Sequence, residues 1–210
     1  MVEKSKMDMP IDIEAVKGFL APEEGRALRE AARDTAGLGP ALEIGSYCGK
    51  STVYLGLGAR EGNGHVLAVD HHRGSEENQP GAMFHDPDLA DGQGGIDTLP
   101  LFRDTMRRAG LEDVVIPVAA SARVFAKVWT QPLGMVFIDG GHTVEAALAD
   151  YRAFAPKVAP GGILAIHDVH PNPETGGRPP YEIYEMALAS GLYRGLALVE
   201  TLALLRRLDA

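Results

Sequence analysis

Two short segments of this chain place acids and histidines directly after apolar runs. The first segment ends with Asp139, two glycines and His142, and the second ends with His167 and Asp168. A pair of carboxylates suits a hard divalent cation such as Mg²⁺, which keeps several waters and takes few protein oxygens. Histidine titrates near neutral pH and can take a proton from an alcohol, which is a poor nucleophile until it loses that proton. These residue types predict a cation site beside a general base.

Each of these residues also has a simpler interpretation. The acids can cap turns and balance neighbouring histidines, and His142 can be a solvated surface side chain. Adjacent residues of a strand point to opposite faces, so His167 can face away from a site that contains Asp168. An imidazole ligand would shift the preference from Mg²⁺ towards Mn²⁺, Zn²⁺ or another transition metal. The candidate metal ligands are Asp139, His167 and Asp168.

A third segment has the order strand, glycine turn and helix, and it reads Glu43-Ile44-Gly45-Ser46-Tyr47-Cys48-Gly49-Lys50-Ser51-Thr52. Such a turn favours anions and lets a ligand approach the backbone closely. A phosphate-binding loop needs four residues between its two glycines, and the spacing from Gly45 to Gly49 is one residue too short. The dinucleotide pattern Gly-x-Gly-x-x-Gly also fails, because Tyr47 and Lys50 stand where glycines are required.

The elements that must position these residues alternate between short apolar runs and helical patterns, which predicts a layered α/β fold. Strands are predicted at 41–44, 65–69, 114–118, 135–139 and 163–166, with two more at 196–208, and helices at 22–33, from residue 50, and at 96–109, 143–157 and 181–190. Residues 160–162 (Pro-Gly-Gly) predict a turn before the fifth strand. The stretches 71–95 and 169–180 lack periodicity, which predicts functional loops. We expect a single domain over 1–210, with an N-terminal helical segment over 1–36.

The glycine turn resembles the first motif of class I S-adenosylmethionine (SAM)-dependent methyltransferases, in which an acid precedes three alternating glycines. Glu43, Gly45 and Gly49 match this motif, whereas Tyr47 replaces the middle glycine. Asp70 ends the second strand about 20 residues further on, where an acid can accept hydrogen bonds from both ribose hydroxyls. The order and spacing of the later segments also agree, so the resemblance covers residues 40–210.

This resemblance implies a Rossmann-like fold, with a mostly parallel seven-stranded sheet, an antiparallel C-terminal strand and helices on both faces. The fourth and fifth strands would be neighbours, so Asp139 and Asp168 would converge where open α/β sheets bind ligands. Asp70 would bind the ribose of SAM, and the segment that contains Ser121 and Ala122 would lie beside the adenine. The implied SAM-binding residues are Glu43, Gly45, Ser46, Tyr47, Gly49, Ser51, Asp70, His71, Ser121, Ala122 and Asp139.

The acid and histidine segments resemble those of metal-dependent O-methyltransferases that act on sugars and other natural-product hydroxyls. That branch has Ile-Asp-Gly-x-His, which residues 138–142 match, and a final acid pair where this chain has His167 and Asp168. The resemblance implies a divalent cation held by Asp139 and Asp168, with Mg²⁺ favoured and Mn²⁺ open. The catalytic residues would then be His142 and Asp139.

Charge and composition narrow the class of partner. The 210 residues carry 20 basic and 29 acidic side chains, and the net charge of −9 disfavours nucleic acid, which binds clustered Lys and Arg. One cysteine cannot form an internal disulfide, which favours a reducing compartment. The first residues show no secretory signal, and no apolar run reaches the roughly 18 residues that a membrane span needs.

We therefore expect a cytoplasmic SAM-dependent O-methyltransferase that acts on a small polyhydroxylated acceptor, a sugar or glycoside being favoured. The loops 71–95 and 169–180 are expected to shape the acceptor pocket, because loops on a rigid scaffold carry specificity. Three alternatives stay open: an aromatic or natural-product hydroxyl as acceptor, a nucleotide-dependent phosphotransferase, and a SAM-binding protein without activity. A homodimer is a further expectation.

Overall fold

The computed structural model describes residues 8–75, 78–79, 81–82, 85–141, 143–170, 172 and 178–209, so His142 and part of the loop 169–180 lie outside it. The helices are α1 (Pro22–Thr35), α2 (Lys50–Glu61), α3 (Leu99–Ala109), α4 (Ala122–Phe125), α5 (Val144–Phe154) and α6 (Arg178–Ala189). The strands are β1 (Ala41–Ile44), β2 (Val66–Asp70), β3 (Val115–Ala119), β4 (Leu133–Ile138), β5 (Val158–Ile166), β6 (Tyr193–Val199) and β7 (Leu202–Arg207). None of the helices in these ranges is long and apolar enough to cross a membrane.

The seven strands form one sheet in the order β3-β2-β1-β4-β5-β7-β6. Strands β1 to β5 run parallel, and β7 is antiparallel to both β5 and β6. The pairing of β1 with β2 and β4 sets Ile44 beside Val69 and Ile138, so the residues after these strands emerge at one edge. The predicted sheet is confirmed, including the antiparallel C-terminal strand and the adjacency of the fourth and fifth strands.

Helices cover both faces of the sheet because successive strand residues point to opposite sides. On one face, Met135 and Phe137 of β4 belong to a buried cluster that includes Phe102 of α3. On the other face, Val136 of β4 belongs to a second cluster that includes Phe154 of α5. Each face therefore has its own apolar core, and the sheet edge between them stays available for a site.

The sequence predicted that the Pro-Gly-Gly segment at 160–162 forms a turn before β5. In the structure, this segment lies inside β5. The pairing of β5 with β4 changes register around Gly134, which accommodates the irregular backbone. A Cβ on Gly162 would lie 2.6 Å from the carbonyl oxygen of Gly134. The glycine is needed because two strand backbones approach closely, a condition that residue type alone does not distinguish from a turn.

Pro117 in β3 and the short helix α4 are two further features that bear on the predicted elements. Pro117 lies in β3, at the edge of the sheet, where its missing N–H removes no internal ladder bond. The helix α4 was not predicted, because four residues are too few to show helical periodicity. In the described part of 71–95, the backbone includes a short 3-10 turn, Pro87–Leu89, and Ala90 forms an isolated bridge with Ile96.

Candidate functional site

A cavity of about 860 Å³ opens at the edge of the sheet where β1, β2, β4 and β5 end. Its volume is within the range of roughly 300–1,000 Å³ that small-molecule sites occupy. The predicted site residues that line it are Gly45, Ser46, Tyr47, Ser51, Asp70, His71, Ser121, Ala122, Asp139, His167 and Asp168. Among the described residues of the prediction, Glu43 and Gly49 do not line it.

The turn between β1 and α2 uses left-handed backbone at three positions, with φ of 88° at Gly45, 46° at Tyr47 and 93° at Gly49. A Cβ on Gly45 would lie 2.1 Å from the carbonyl oxygen of Asp139, so this position requires glycine. Tyr47, which departs from the methyltransferase motif in residue type, keeps the left-handed conformation that glycine adopts readily. We call residues 43–52 together with Asp70 the glycine-turn region.

Asp70 faces the cavity with its carboxylate fixed by the backbone. The N–H of Tyr47 donates to Oδ2 at 2.8 Å, and the N–H of His72 donates to Oδ1 at 2.7 Å. Each oxygen keeps a lone pair for a further donor, so the carboxylate can receive two adjacent hydroxyls. The ribose-binding role of Asp70 stays a prediction, for which this geometry leaves two acceptor oxygens available.

Ser46 contributes a hydroxyl that the described residues leave without a partner. The residue is 1% exposed and lines the cavity, and its Oγ has no hydrogen-bond partner in the described part of the chain. Buried polar atoms are normally paired. A ligand in the cavity can supply the missing partner.

Glu43 is fully buried beneath the turn, and it fixes the start of α2. The hydroxyls of Ser51 and Thr52 each donate to one of its oxygens at 2.5 Å. Burial raises the pKa of Glu43 to about 8, and the nearby charges of Asp139 and Asp70 act in the same direction against these two hydrogen bonds. Glu43 therefore supports the turn from below, whereas the sequence predicted a contact with SAM.

The residues beside the predicted adenine and ribose sites differ in exposure. Ser121 is the N-cap of α4 and lines the cavity with Ala122, while His71 is exposed at the cavity wall. His72 is buried away from the cavity, where its Nδ1 lies 2.8 Å from Oγ1 of Thr98. Burial lowers the pKa of His72 despite the charge of Asp70, so its ring is neutral and structural.

Asp139, His167 and Asp168 come together at the ends of β4 and β5. One ligand atom from each lies within 4.8 Å of the others. Nδ1 of His167 is 3.1 Å from Oδ1 of Asp139 and 3.5 Å from Oδ2 of Asp168. His167 continues the alternation of β5, because its N–H donates to the carbonyl of Ile138 and its ring contacts Phe137 of β4, and the left-handed backbone comes only at Asp168. Asp168 has a φ of 57°, a conformation that costs energy outside glycine and occurs often at functional sites.

A third acid, Glu24 of α1, belongs to the same cluster, and sequence reasoning missed it. Its Oε2 lies 3.1 Å from Nε2 of His167. In the sequence, Glu24 reads as a helix N-terminal acid, and no local pattern shows a partner 143 positions away. We call Glu24, Asp139, His167 and Asp168 the acid–histidine cluster.

The opposite charges in this cluster stabilise the ionised forms of His167 and Glu24. Burial acts to lower the pKa of His167, but Asp139, Asp168 and Glu24 outweigh it and raise that pKa far above its ordinary value. Burial acts to raise the pKa of Glu24, but hydrogen bonds from His167 and from the backbone outweigh it and lower that pKa to about 2. His167 is therefore an imidazolium held by three carboxylates.

Asp150 of α5 is a further acid in the cavity wall that the sequence did not single out. Burial raises its pKa to about 6. Its Oδ2 lies 3.0 Å from where a Cβ on Gly140 would be, so the glycine leaves room for this carboxylate. The helical pattern of α5 gives no signal that Asp150 faces a cavity.

The segment before α1 forms another part of the cavity wall that the sequence did not predict. Lys17, Phe19 and Leu20 line the cavity. The ammonium of Lys17 lies 2.5 Å from Asp86 and 2.8 Å from Asp88, which joins this segment to the loop 71–95. These two ion pairs link two stretches of chain that border the same cavity.

Comparison with known families matches residues 42–169 to a methyltransferase domain. Among solved structures, cofactor-bound Rv0187 from MTB is 19% identical, with a TM-score of 0.67 over 94% of this chain and 85% of that chain. An O-methyltransferase from Bacillus cereus in complex with SAH (S-adenosylhomocysteine) is 18% identical, with a TM-score of 0.64 over 91% and 83%. The O-methyltransferase TomG from Streptomyces achromogenes, in complex with SAM, is 15% identical, with a TM-score of 0.62 over 91% and 82%.

The family match spans more than half of the chain, and this protein belongs to the methyltransferase family. Its fold is that of the class I, SAM-dependent enzymes, as the similarity to the three solved structures shows. The fold and family predicted from the sequence are confirmed.

Proposed function

We propose that this protein transfers the methyl group of SAM to a hydroxyl oxygen of a small polyhydroxylated acceptor, a sugar or glycoside being favoured. The observation that carries the proposal is that residues of the glycine-turn region and residues of the acid–histidine cluster line one cavity. Family membership supports methyl transfer, and the O-methyltransferases of similar fold support oxygen as the acceptor atom.

The glycine-turn region fits SAM on two observations, the unpartnered hydroxyl of Ser46 and the fixed carboxylate of Asp70. Bound SAM supplies an electrophilic methyl group, so the chain has only to align the acceptor oxygen and remove its proton. Glu43 and Gly49 act by shaping the turn. The proposed contacts to SAM are Gly45, Ser46, Tyr47, Ser51, Asp70, His71, Ser121, Ala122 and Asp139.

The acid–histidine cluster fits a divalent cation, because it offers two carboxylates and an imidazole nitrogen within 4.8 Å. Asp139 and Asp168 would hold the cation, with Nδ1 of His167 as third ligand once that nitrogen has lost its proton. A bound cation supplies a Lewis acid that lowers the pKa of the acceptor hydroxyl. Because the ligand set contains an imidazole, we favour Mn²⁺ over Mg²⁺ as the bound cation.

We assign the role of general base to His142, on its sequence position after Asp139. Gly141 and Thr143, its two neighbours in the chain, both line the cavity. Histidine can accept the acceptor's proton near neutral pH, a step that contributes about 10²–10⁴-fold to rate. Asp139 and Asp168 would orient the acceptor hydroxyl through the cation.

His142→Ala tests this assignment. We expect turnover to fall at least about 100-fold, because the acceptor loses its base, while affinity for SAH stays within about twofold. Turnover is measured as methyl transfer from labelled SAM to a panel of sugars and glycosides with Mn²⁺, and SAH affinity by calorimetry. His65→Ala, at an exposed position outside the cavity, is the matched control. Unchanged turnover in His142→Ala would remove this residue from the mechanism.

An aromatic hydroxyl is the second candidate acceptor, and one observation favours it. Phe19 and Tyr47 both line the cavity, and Phe19 is 67% exposed, so an aromatic ring could pack against it. Adding catechols and other phenols to the panel decides between the two acceptor classes. A phenol used in preference to every sugar would replace the polyhydroxylated acceptor.

Family membership favours methyl transfer over the phosphotransferase alternative. A calorimetric titration of ATP beside SAH tests this, since binding of ATP alone would contradict a SAM site. A SAM-binding protein without activity would bind SAH normally. It would transfer no methyl group to any acceptor, with or without Mn²⁺.

A further inference from the structure

Glu24, in the first turn of α1, is a buried carboxylate that has hydrogen-bond donors on both oxygens. Its Oε1 accepts from the backbone N–H and the hydroxyl of Thr201, at 2.9 and 2.8 Å. Its Oε2 accepts from the backbone N–H of Ala21 at 2.9 Å and lies 3.1 Å from Nε2 of His167. These contacts join α1, the end of β5 and the turn between β6 and β7.

Capping the helix does not require this burial. The adjacent Glu23 lies in the same first turn, where an acid favours the helix dipole, and leaves 42% of its side chain exposed. The side chain of Glu24 is only 3% exposed. Removing a carboxylate from water costs several kcal/mol unless a charged partner compensates. The charged partner of Glu24 is His167. The contact with His167 therefore accounts for the burial of Glu24.

The two ring nitrogens of His167 face different groups. Nε2 faces Glu24, whereas Nδ1 faces Asp139 and Asp168, at 3.1 and 3.5 Å. A histidine that ligates a metal almost always donates its other ring N–H to a carboxylate, a backbone carbonyl or water, and that bond fixes both the ring orientation and the nitrogen that ligates. Glu24 as a carboxylate only accepts here, so it keeps a proton on Nε2, and Nδ1 is the nitrogen that can ligate a cation once it has lost its proton.

We propose that Glu24 is a positioning residue for the cation site: it orients His167 so that Nδ1, with Asp139 and Asp168, binds the divalent cation. The proposal rests on the metal part of the proposed function. It assigns to α1, which precedes the residues matched by the methyltransferase domain, a direct role in cation affinity.

Glu24→Gln tests this role, with Thr201→Val as the matched control. Glutamine keeps the shape of the side chain but removes its charge, whereas Thr201→Val removes one donor to Oε1 and leaves the contact with His167. The probe is Mn²⁺ alone, titrated by calorimetry and by electron paramagnetic resonance. We expect the Kd for Mn²⁺ to rise about 10- to 100-fold in Glu24→Gln and to stay within about twofold in Thr201→Val. SAH affinity and thermal unfolding are measured in parallel, and we expect SAH affinity to be unchanged in both.

A second measurement uses the wild-type protein and so does not depend on a variant that folds. With diamagnetic Mg²⁺ bound, ¹H–¹⁵N nuclear magnetic resonance reports which nitrogen of His167 carries the proton. We expect a proton on Nε2 and none on Nδ1. A proton on Nδ1 in the Mg²⁺-bound protein would overturn the proposal.

The remaining outcomes distinguish failure of the positioning role of Glu24 from failure of the cation site on which that role rests. If wild-type protein binds Mn²⁺ and Glu24→Gln binds it equally well, the positioning role is wrong and the cation site stands. If both variants lose affinity in proportion to their loss of thermal stability, Glu24 is only structural and the positioning role is again wrong. If wild-type protein binds no divalent cation while binding SAH, the metal part of the proposed function fails, and the role of Glu24 fails with it.

Discussion

The glycine-turn region comes from one stretch of the chain, between residues 43 and 70, and left-handed backbone at Gly45, Tyr47 and Gly49 gives the turn its shape. In the acid–histidine cluster, side chains make the contacts, and Glu24 joins residues that lie 143 and 177 positions further along the chain. The first region is encoded locally and the second only by the fold. A sequence motif can therefore identify the first, while the second needs the assembled structure.

Gly45→Ala is expected to have the largest effect, because Gly45 is where the two regions touch. The new Cβ would lie 2.1 Å from the carbonyl oxygen of Asp139, at a φ of 88° that alanine disfavours. We expect a loss of more than about 3 kcal/mol in the free energy of unfolding, together with loss of SAH binding. Urea unfolding and calorimetry measure the two effects.

Gly94→Ala is the matched control for this substitution. Its φ is 92°, but no described atom lies within 4 Å of the new Cβ. Only the backbone cost of about 1–2 kcal/mol should therefore remain, with normal SAH binding. Equal losses in the two variants would show that the contact between the regions has no energetic role.

Glu43→Gln is expected to have an intermediate effect that depends on pH. Burial raises the pKa of Glu43 to about 8 in the folded protein, from 4.5 for a free glutamic acid. Protonated Glu43 therefore contributes to the free energy of unfolding. This contribution is complete below pH 4.5, and it is lost as the pH rises from there through 8. Glutamine needs no proton, so the free energy of unfolding of the variant, relative to that of the wild type, should rise by about 4 kcal/mol between pH 5 and pH 9.

Urea unfolding of both proteins across this pH range measures the gain. The other titrating groups are common to both proteins and cancel in the difference. A difference that stays constant from pH 5 to pH 9 would contradict a buried, protonated Glu43 beneath the turn.

Ser46→Ala is expected to have the smallest effect, and it sharpens the view that backbone groups dominate the glycine-turn region. The Ser46 hydroxyl has no partner among the described residues, so its removal should not lower the free energy of unfolding. If bound SAH supplies the missing partner, its Kd should rise about fivefold, equivalent to about 1 kcal/mol. Ser190→Ala is the control, since that hydroxyl donates to the carbonyl of Ala187 outside the cavity. It should lose stability and keep SAH affinity, and the same pattern in Ser46→Ala would be evidence against the missing partner.

The elements that sequence predicted best are those with a purely local cause. The strand Ala41–Ile44 appears at its predicted bounds, because a short buried run followed by glycine leaves few alternatives. Tyr47 shows the limit of matching residue types, since it breaks the glycine pattern and yet adopts the left-handed backbone. Glu24 and Asp150 escaped prediction because helix periodicity reports neither a distant partner nor a cavity. His142 stays a prediction.

The turn between β6 and β7 gives the last strands of the sheet a part in the acid–histidine cluster, since Thr201 donates two hydrogen bonds to Glu24. During translation, the last partners of the glycine-turn region to be made are Asp139 and Gly140, which Gly45 contacts. Glu24 is among the first residues made, yet it waits for residue 201 before its carboxylate is fully paired. The two sides of the cavity are thus completed at different times, and the acid–histidine cluster is finished last.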